Sequence, residues 1–152
     1  MKILLATDGS ESSREAVEKT CQLLVTPEDT EIKVVCVYQS VIPLDAFPQS
    51  AEYSEELEKR EKTDAKTFVE AAAELIGEYF PESTVKIETE IKTGAPDQVI
   101  LETAKEWKPN VIVVGSHGRG FWGRLTLGSV SDSIIHQANG CPVLVVQKSN
   151  EQ

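Results

Sequence analysis

Apolar and polar positions recur in two kinds of pattern along this chain. Short runs rich in valine, isoleucine and leucine predict strands, and residues 111–114 are four consecutive β-branched side chains, as in strands buried on both faces. Between these runs, apolar residues recur every three or four positions, which is the pattern of amphipathic helices. The predicted strands are residues 3–7, 32–38, 85–91, 111–114 and 142–146, with a helix after each of the first four.

This order predicts one parallel sheet with right-handed crossovers and helices on both faces. The third strand alternates polar with apolar residues, so we expect it at or near a sheet edge. The helix over residues 51–80 is long, and its charged stretch 55–62 is expected to face solvent. A ligand binds such a sheet beyond the carboxyl ends of its strands, where the strand order reverses. If the first and fourth strands are neighbours there, the turn at Asp8 faces the glycine-rich loop after residue 114.

Local signals mark several element boundaries. Either Ser10 or a capping box of Ser12 and Glu15 begins the first helix. Pro96 lies in the first turn of the third helix, and Pro109 ends that helix. Residues 40–50 combine prolines with large apolar side chains, so this segment is either a lid or interface, or a loop folded back on its own domain.

Composition narrows the class of protein. A chain of 152 residues fits a single domain, residues 1–152. The net charge of −10 disfavours nucleic acid and anionic membranes as partners. The 3 cysteines form no CxxC pair and are expected to be reduced and core-facing. No segment has the apolar length of a signal peptide or a transmembrane helix, so we expect a soluble, cytoplasmic protein.

The glycine-rich loop that follows residue 114 runs into a helix N-terminus, a combination that can cradle a phosphate. Residues 118–123 satisfy G-x-G-x-x-G, but they do not follow the first strand of a βαβ unit and no acidic residue lies about 20 positions further on. Residues 123–129 have glycines spaced as in a P-loop but lack its lysine. A dinucleotide fingerprint and a P-loop NTPase are therefore both disfavoured.

The spacing Gly115-x2-Gly118-x9-Gly128-Ser129 resembles the G-x2-G-x9-G-S/T motif of ATP-binding universal stress proteins. The resemblance extends from the first strand and its Asp8 turn to the final apolar strand. It implies an α/β fold, a Rossmann-like three-layer sandwich whose five-stranded parallel sheet has helices on both faces. It also implies an adenine nucleotide as ligand, namely ATP with AMP or cyclic AMP as alternatives, together with Mg²⁺.

The resemblance places Asp8 near the ribose or a phosphate-bound Mg²⁺ and the Val37 backbone against adenine. The predicted nucleotide-binding residues are Thr7, Asp8, Gly9, Val37, Val114, Gly115, His117, Gly118, Arg119, Gly128, Ser129, Val130 and Ser131. Independently of the resemblance, the free N–H groups and the hydroxyls at the start of the last helix favour a phosphate. Three alternatives stay open: Asp8 as a simple helix cap, Arg119 and Arg124 as solvated residues, and His117 as a polar loop residue rather than an acid or base.

The resemblance implies a nucleotide-dependent stress-response or signalling module. No catalytic residue is predicted, because no base or water-orienting group is evident, and we expect at most weak ATP hydrolysis. A slow nucleotide hydrolase and a nucleotide-free, partner-binding dimer are the alternatives. The last strand would leave an apolar edge, and in the family such an edge pairs two subunits, so the resemblance implies a homodimer through Val143–Val146.

Overall fold

Five parallel strands form the sheet of this protein. The computed structural model describes residues 1–39, 48–82, 85–118 and 127–149, apart from the side chains of residues 48–51. The strands are β1 (Lys2–Ala6), β2 (Glu31–Tyr38), β3 (Lys86–Thr93), β4 (Val111–Gly115) and β5 (Val143–Val146). The helices are α1 (Glu11–Leu23), α2 (Pro48–Tyr79), α3 (Pro96–Trp107) and α4 (Ser129–Gln137). The predicted α/β fold is confirmed.

The strand order is β3-β2-β1-β4-β5. β2 and β3 lie on one side of β1, and β4 and β5 lie on its other side. In the register of the sheet, Leu5 of β1 lies beside Val34 of β2 on one side and Val113 of β4 on the other. The chain therefore leaves β1 in one direction and returns to its other side with β4. This places the turn after β1 and residues 116–118, which follow β4, at one carboxyl-end crevice, as the sequence predicted.

Each face of the sheet has its own core, which explains the uninterrupted apolar runs. Ile3 and Leu5 point to the face covered by α1 and α2. Leu4 and Ile112 point to the opposite face, covered by α3 and α4. All four side chains are fully buried. The central strands are buried on both sides because helices cover both faces.

The two edges of the sheet differ in chemistry. The prediction that β3 lies at an edge is confirmed, and its exposed Lys86 and Glu88 keep that edge charged. The other edge strand, β5, is Val-Leu-Val-Val, and its first three residues are only half-buried. An apolar strand edge of this kind favours pairing with another chain, whereas charges on an edge oppose it.

The long helix α2 consists of two parts. Ala65, Val69, Ala72 and Ile76 are buried against the sheet, at the spacing of one helix face. In residues 52–64 no side chain is fully buried: most are exposed, as predicted, while Ser54, Leu57, Glu61 and Asp64 are half-buried. No helix in the described ranges combines the length and apolar composition needed to cross a membrane.

The core-facing placement expected of the cysteines is confirmed. All three cysteines are free, Cys21 and Cys36 are buried, and the half-buried Cys141 packs against the core on the α3 and α4 face of the sheet. Most of the segment 40–50, as well as Arg119 and Arg124, lies outside the described residues.

Candidate functional site

The turn after β1 fixes the position of Asp8. Ser10 is the N-cap of α1: its hydroxyl accepts a hydrogen bond from the Ser13 N–H at 3.1 Å. Asp8 is therefore not the cap, and its Oδ1 instead accepts from the Ser10 N–H at 2.9 Å. Gly9 adopts a φ of +76°, a conformation that favours glycine. The turn thus holds the half-buried Asp8 carboxylate at the mouth of the central strand.

Gly115, at the end of β4, serves close packing. A Cβ at this position would lie 2.7 Å from the Ser12 Oγ, 2.8 Å from the Ser12 carbonyl carbon and 2.9 Å from the Ser13 nitrogen. These distances are shorter than real Cβ contacts, so the glycine lets the N-terminus of α1 approach β4. The first glycine of the motif therefore has a structural reason that is independent of any ligand.

The buried Ser116 joins the end of β4 to the start of α4. Its carbonyl oxygen accepts from the Gly128 N–H at 2.7 Å and from the Ser131 hydroxyl at 3.1 Å. The Ser131 hydroxyl also lies 3.0 Å from the Gly128 carbonyl oxygen. Its proton is therefore engaged by protein carbonyls, which leaves the exposed Ser129 hydroxyl as the one available at this helix end within the described residues.

Within the residues that the structure describes, the first turn of α4 has backbone N–H donors without a protein acceptor. Its N-cap is Gly128, which has no side chain to cap the helix, and the first N–H bonded within the helix is that of Asp132. Across the described part of the chain, no protein acceptor pairs with the N–H groups of Ser129, Val130 or Ser131. Together with the helix dipole, three free N–H groups favour an anion at this position.

The turn after β1 and the N-terminus of α4 open into one cavity of about 610 Å³. This volume lies in the range of small-molecule sites. The predicted residues that line it are Thr7, Asp8, Val37, Val114, Gly115, His117, Gly118, Gly128, Ser129, Val130 and Ser131. The lining residues that the sequence analysis missed are Ala6, Ser13, Cys36, Tyr38, Gln39, Glu61, Ala65, Phe68, Pro96 and Ile100.

Two predicted residues are not among those lining the cavity. Arg119 lies outside the described residues. Gly9 borders a separate pocket of about 290 Å³ between α1 and α2. A Cβ at Gly9 would lie 2.3 Å from the Phe68 ring, so its contribution is to seat this ring beside the cavity.

The sequence pattern did not predict that α2 contributes residues to the cavity. The sequence pattern assigned residues 55–62 to a solvated face, but Glu61 is half-buried and lines the cavity with Ala65 and Phe68. The available signal was the helical spacing of these three residues, at i, i+4 and i+7. It could not be used because the sequence does not reveal which end of the sheet α2 passes.

Among the described residues that line the cavity, the fully ionised side chains are two carboxylates. Asp8 and Glu61 contribute carboxylates, and no lysine or arginine lines the cavity within the described residues. His117 is the remaining titratable nitrogen base among them, and its Nδ1 lies 2.8 Å from the Ser116 Oγ. No cluster of three potential metal ligands occurs in residues 1–39, 48–82, 85–118 and 127–149. A metal ion here would need ligands from a bound molecule in addition to a carboxylate.

Gly118 approaches the Asp8 side chain closely. A Cβ at Gly118 would lie 2.9 Å from the Asp8 Oδ2, and a Cβ at Gly128 would lie 3.1 Å from the Ser116 carbonyl oxygen. Glycine at position 118 therefore keeps space open beside Asp8, whereas glycine at position 128 lets the start of α4 approach the backbone of Ser116 and His117.

Comparison with known proteins identifies related chains. A model of the universal stress protein family matches residues 1–147. Universal stress protein MJ0531 of Methanocaldococcus jannaschii is 36% identical over 153 residues, which cover 99% of this chain and 84% of the relative.

Solved structures share the fold along nearly the whole chain. The structure of protein MJ0577 superposes with a TM-score of 0.80 at 27% identity, covering 99% of this chain and 97% of that one. A universal stress protein in complex with cAMP superposes with a TM-score of 0.65 at 26% identity, covering 98% of each chain.

Proposed function

Because the chain belongs to the universal stress protein family, we propose that it binds an adenine nucleotide and acts as a nucleotide-dependent stress-response module. The observation that carries the proposal is the cavity that Asp8 lines together with Ser129, Val130 and Ser131, whose N–H groups have no protein acceptor among the described residues. The related universal stress protein in complex with cAMP supports the choice of ligand class.

In the proposed orientation, the phosphates lie at the N-terminus of α4 and the ribose lies near Asp8. Phosphate oxygens would accept hydrogen bonds from the N–H groups of Ser129, Val130 and Ser131, where the helix dipole favours negative charge. The Asp8 carboxylate would accept from a ribose hydroxyl or bind a Mg²⁺ ion that phosphate oxygens also ligate. The Val37 backbone, at the end of β2, would contact adenine. When ATP is the ligand, Mg²⁺ would neutralise part of the phosphate charge.

The first experiment asks which small molecule the protein carries. Mass spectrometry of the ligand released from purified protein should detect ATP, AMP or cyclic AMP, and calorimetry with each nucleotide, with and without Mg²⁺, should then rank them. Absence of a copurified nucleotide together with no heat of binding for any of the three would refute the proposal.

Gly118→Val tests the site itself. A valine side chain would extend from a position already 2.9 Å from the Asp8 Oδ2 into the space assigned to the ligand. We expect the nucleotide affinity to fall by at least about tenfold, which corresponds to about 1.4 kcal/mol. The exposed backbone at Gly118 should let the variant fold. Gly77→Val in α2, where a Cβ meets nothing within 4 Å, is the matched control and should bind normally.

We expect ATP hydrolysis to be slow and incidental. The alternative of a nucleotide hydrolase using the same cavity predicts multiple-turnover product formation that Asp8→Ala or His117→Ala abolishes. Product release measured over hours with both variants separates this alternative from a binding module.

We also propose a homodimer that pairs the β5 edges of two chains. The half-buried apolar residues of Val143–Val146 support this edge, and the charged β3 edge is the contrasting case. Light scattering should show a dimer that Val145→Lys dissociates. Ile87→Lys on β3 introduces the same charge at the other edge and should leave the dimer intact; equal effects of the two variants would contradict the proposed interface.

A further inference from the structure

The ring of Phe68 lies between two cavities. One is the candidate nucleotide cavity of about 610 Å³, and the other is the pocket of about 290 Å³ between α1 and α2. Thr7, Ser13 and Phe68 are the described residues that line both spaces, and we call these three residues the shared wall. Within the described part of the chain, the wall therefore consists of two short hydroxyl side chains and one large aromatic ring.

The two hydroxyl residues of the shared wall are held by hydrogen bonds. The Ser13 hydroxyl donates to the Ser10 carbonyl oxygen at 2.8 Å, and its Oγ lies 3.1 Å from the Thr7 Oγ1. Thr7 and Ser13 are both buried. Phe68 belongs to a different element, α2, and is half-buried. A substitution at Phe68 therefore opens the wall while these hydrogen bonds stay in place.

The ring of Phe68 packs on the turn that carries Asp8. Its Cε1, Cδ1 and Cζ atoms lie 2.3, 2.4 and 2.6 Å from the place that a Gly9 Cβ would take. The two residues that flank Asp8 in the chain line the pocket beyond the ring, whereas no described residue of β2, β4 or α4 lines it. In the proposed orientation adenine lies at β2 and the phosphates lie at α4, so the part of the nucleotide that faces the shared wall is the ribose.

The pocket beyond the shared wall suits an aromatic group. Besides Phe68, its apolar lining consists of Val17, Ala71, Ala72 and Leu75. Its volume of about 290 Å³ exceeds the roughly 150 Å³ of a cavity that holds benzene. The pocket therefore has room for an aromatic substituent on a ribose oxygen, and the Phe68 ring separates the ribose from this room.

We propose that Phe68 is a specificity-determining residue: its ring closes the nucleotide cavity beside the ribose and excludes adenine nucleotides that carry a bulky group on the 2′ or 3′ oxygen. This inference rests on the proposed function and concerns which nucleotides that site accepts. The discrimination comes from a steric clash with the excluded ligands and not from an added contact with the accepted ones. The ligands that fit are adenine nucleotides with an unsubstituted ribose edge.

The test compares AMP and ATP with their fluorescent 2′/3′-O-(N-methylanthraniloyl) derivatives, in which an aromatic group occupies one ribose oxygen and the other hydroxyl stays free. Titrations give, for each protein variant, the ratio of the affinity for the derivative to the affinity for its parent nucleotide. We expect this ratio to be at most about one tenth in the wild type and to rise at least about tenfold in Phe68→Ala. The emission of the bound derivative should shift to the blue in Phe68→Ala, because its aromatic group enters an apolar pocket.

Two further variants follow the aromatic group into the pocket. Phe68→Leu keeps an apolar side chain against Gly9 but lacks the far ring atoms, so it should raise the ratio by a smaller factor of about three, and it provides the test if Phe68→Ala does not fold. Ala71 is exposed and lines the pocket but not the nucleotide cavity. Adding Ala71→Trp to Phe68→Ala should fill the pocket and return the ratio to its wild-type value.

Phe80→Ala is the matched control. Phe80 is, like Phe68, a partly buried phenylalanine packed against the core on the α1 and α2 face of the sheet, but it lines neither of the two cavities. Its substitution should leave the ratio unchanged. The 2′-deoxy and 3′-deoxy nucleotides are the control ligands, because they lose a hydroxyl without gaining bulk. Their affinities relative to the parent nucleotides should be the same in the wild type and in Phe68→Ala.

Several results would overturn the inference. Equal binding of parent and derivative by the wild type would show that the ribose edge meets no wall, and an unchanged ratio in both Phe68 variants would show that the ring is not the barrier. An equal rise in Phe80→Ala would indicate general loosening of the core. If Phe68→Ala favoured derivatives substituted on the adenine N6 instead, the wall would face the base. In each case the parent nucleotides still bind and the proposed function stands, whereas wild-type protein that binds neither AMP, ATP nor cyclic AMP would refute both.

Discussion

Gly115→Ala isolates the packing role of the first glycine in the motif. Gly115 has no positive φ, so alanine meets no backbone strain there, and the entire cost comes from the space that its Cβ would need. That Cβ would lie 2.8 and 2.9 Å from backbone atoms of Ser12 and Ser13, whereas ordinary contact begins at 3.4 Å. Backbone atoms cannot rotate away, so α1 and β4 must separate.

The free-energy cost of this separation follows from the contacts between α1, β4 and β5. Ser12 Oγ lies 3.4 Å from both the Ser116 Oγ and the Val146 carbonyl oxygen, so its hydrogen bonds are already long and have little room to stretch. Overpacking of one methyl group typically costs 1–3 kcal/mol, and weakened buried hydrogen bonds add to this, so we expect a loss of about 2–3 kcal/mol of unfolding free energy. For a protein of this size the midpoint temperature should fall by about 4–12 °C.

Denaturant unfolding followed by far-UV circular dichroism measures the change, and two other glycines provide controls. At Gly77, within α2, an alanine Cβ meets nothing within 4 Å, and we expect a gain of about 0.5–1 kcal/mol. Gly140 has a φ of +77° in open space, so alanine there incurs strain alone, about 1–2 kcal/mol. If Gly115→Ala were as stable as the wild type, the close approach of α1 to β4 would not be what requires the first glycine.

Two further predictions concern buried titratable groups. Lys33, 7% exposed in β2, has its Nζ 2.6 Å from the Glu90 Oε1; burial alone would lower the pKa of Lys33, but Glu90 and Glu88 raise it overall. Burial alone would likewise raise the pKa of Glu90, but Lys33 and Lys92 hold it below its usual 4.5. The lowered pKa of Glu90 means that its ionised form stabilises the fold above about pH 4.5, and this contribution is lost as the pH falls through the native pKa. Lys33→Met should therefore cost about 2 kcal/mol of unfolding free energy at pH 7 and progressively less below pH 4.5. Urea unfolding at each pH measures this cost. A cost independent of pH would contradict the ion-pair account. Burial and the nearby Glu18 raise the pKa of the Cys21 thiol to about 11. A thiol reagent at pH 8 should therefore modify Cys21 only after the protein unfolds. Modification of Cys21 in the native protein, located by peptide mapping, would show that α1 opens readily.

Part of the candidate site could be predicted from the sequence, and part is evident only in the structure. Residues adjacent in the chain to strand ends, such as Asp8 and Gly118, could be predicted because parallel strands end at a common edge. The two roles of the glycines, ligand binding and close packing, could not be predicted, because the same glycine spacing is compatible with either role. Gly115 shows this: its motif position predicts a ligand contact, while the atoms nearest its missing Cβ belong to α1.

The sequence by itself determined the order of strands and helices, the parallel sheet and the crevice after β1 and β4, because hydrophobic periodicity and strand-end chemistry are local properties. Only the tertiary structure decided that α2 brings Glu61 and Phe68 to that crevice. It also decided that the Ser131 hydroxyl is engaged by carbonyl oxygens. These features depend on where a helix passes over the sheet and on which donors find partners, and neither is encoded within a short window of residues. The composition of the cavity wall, and hence the charge that a ligand meets there, follows from packing between segments that lie far apart in the chain.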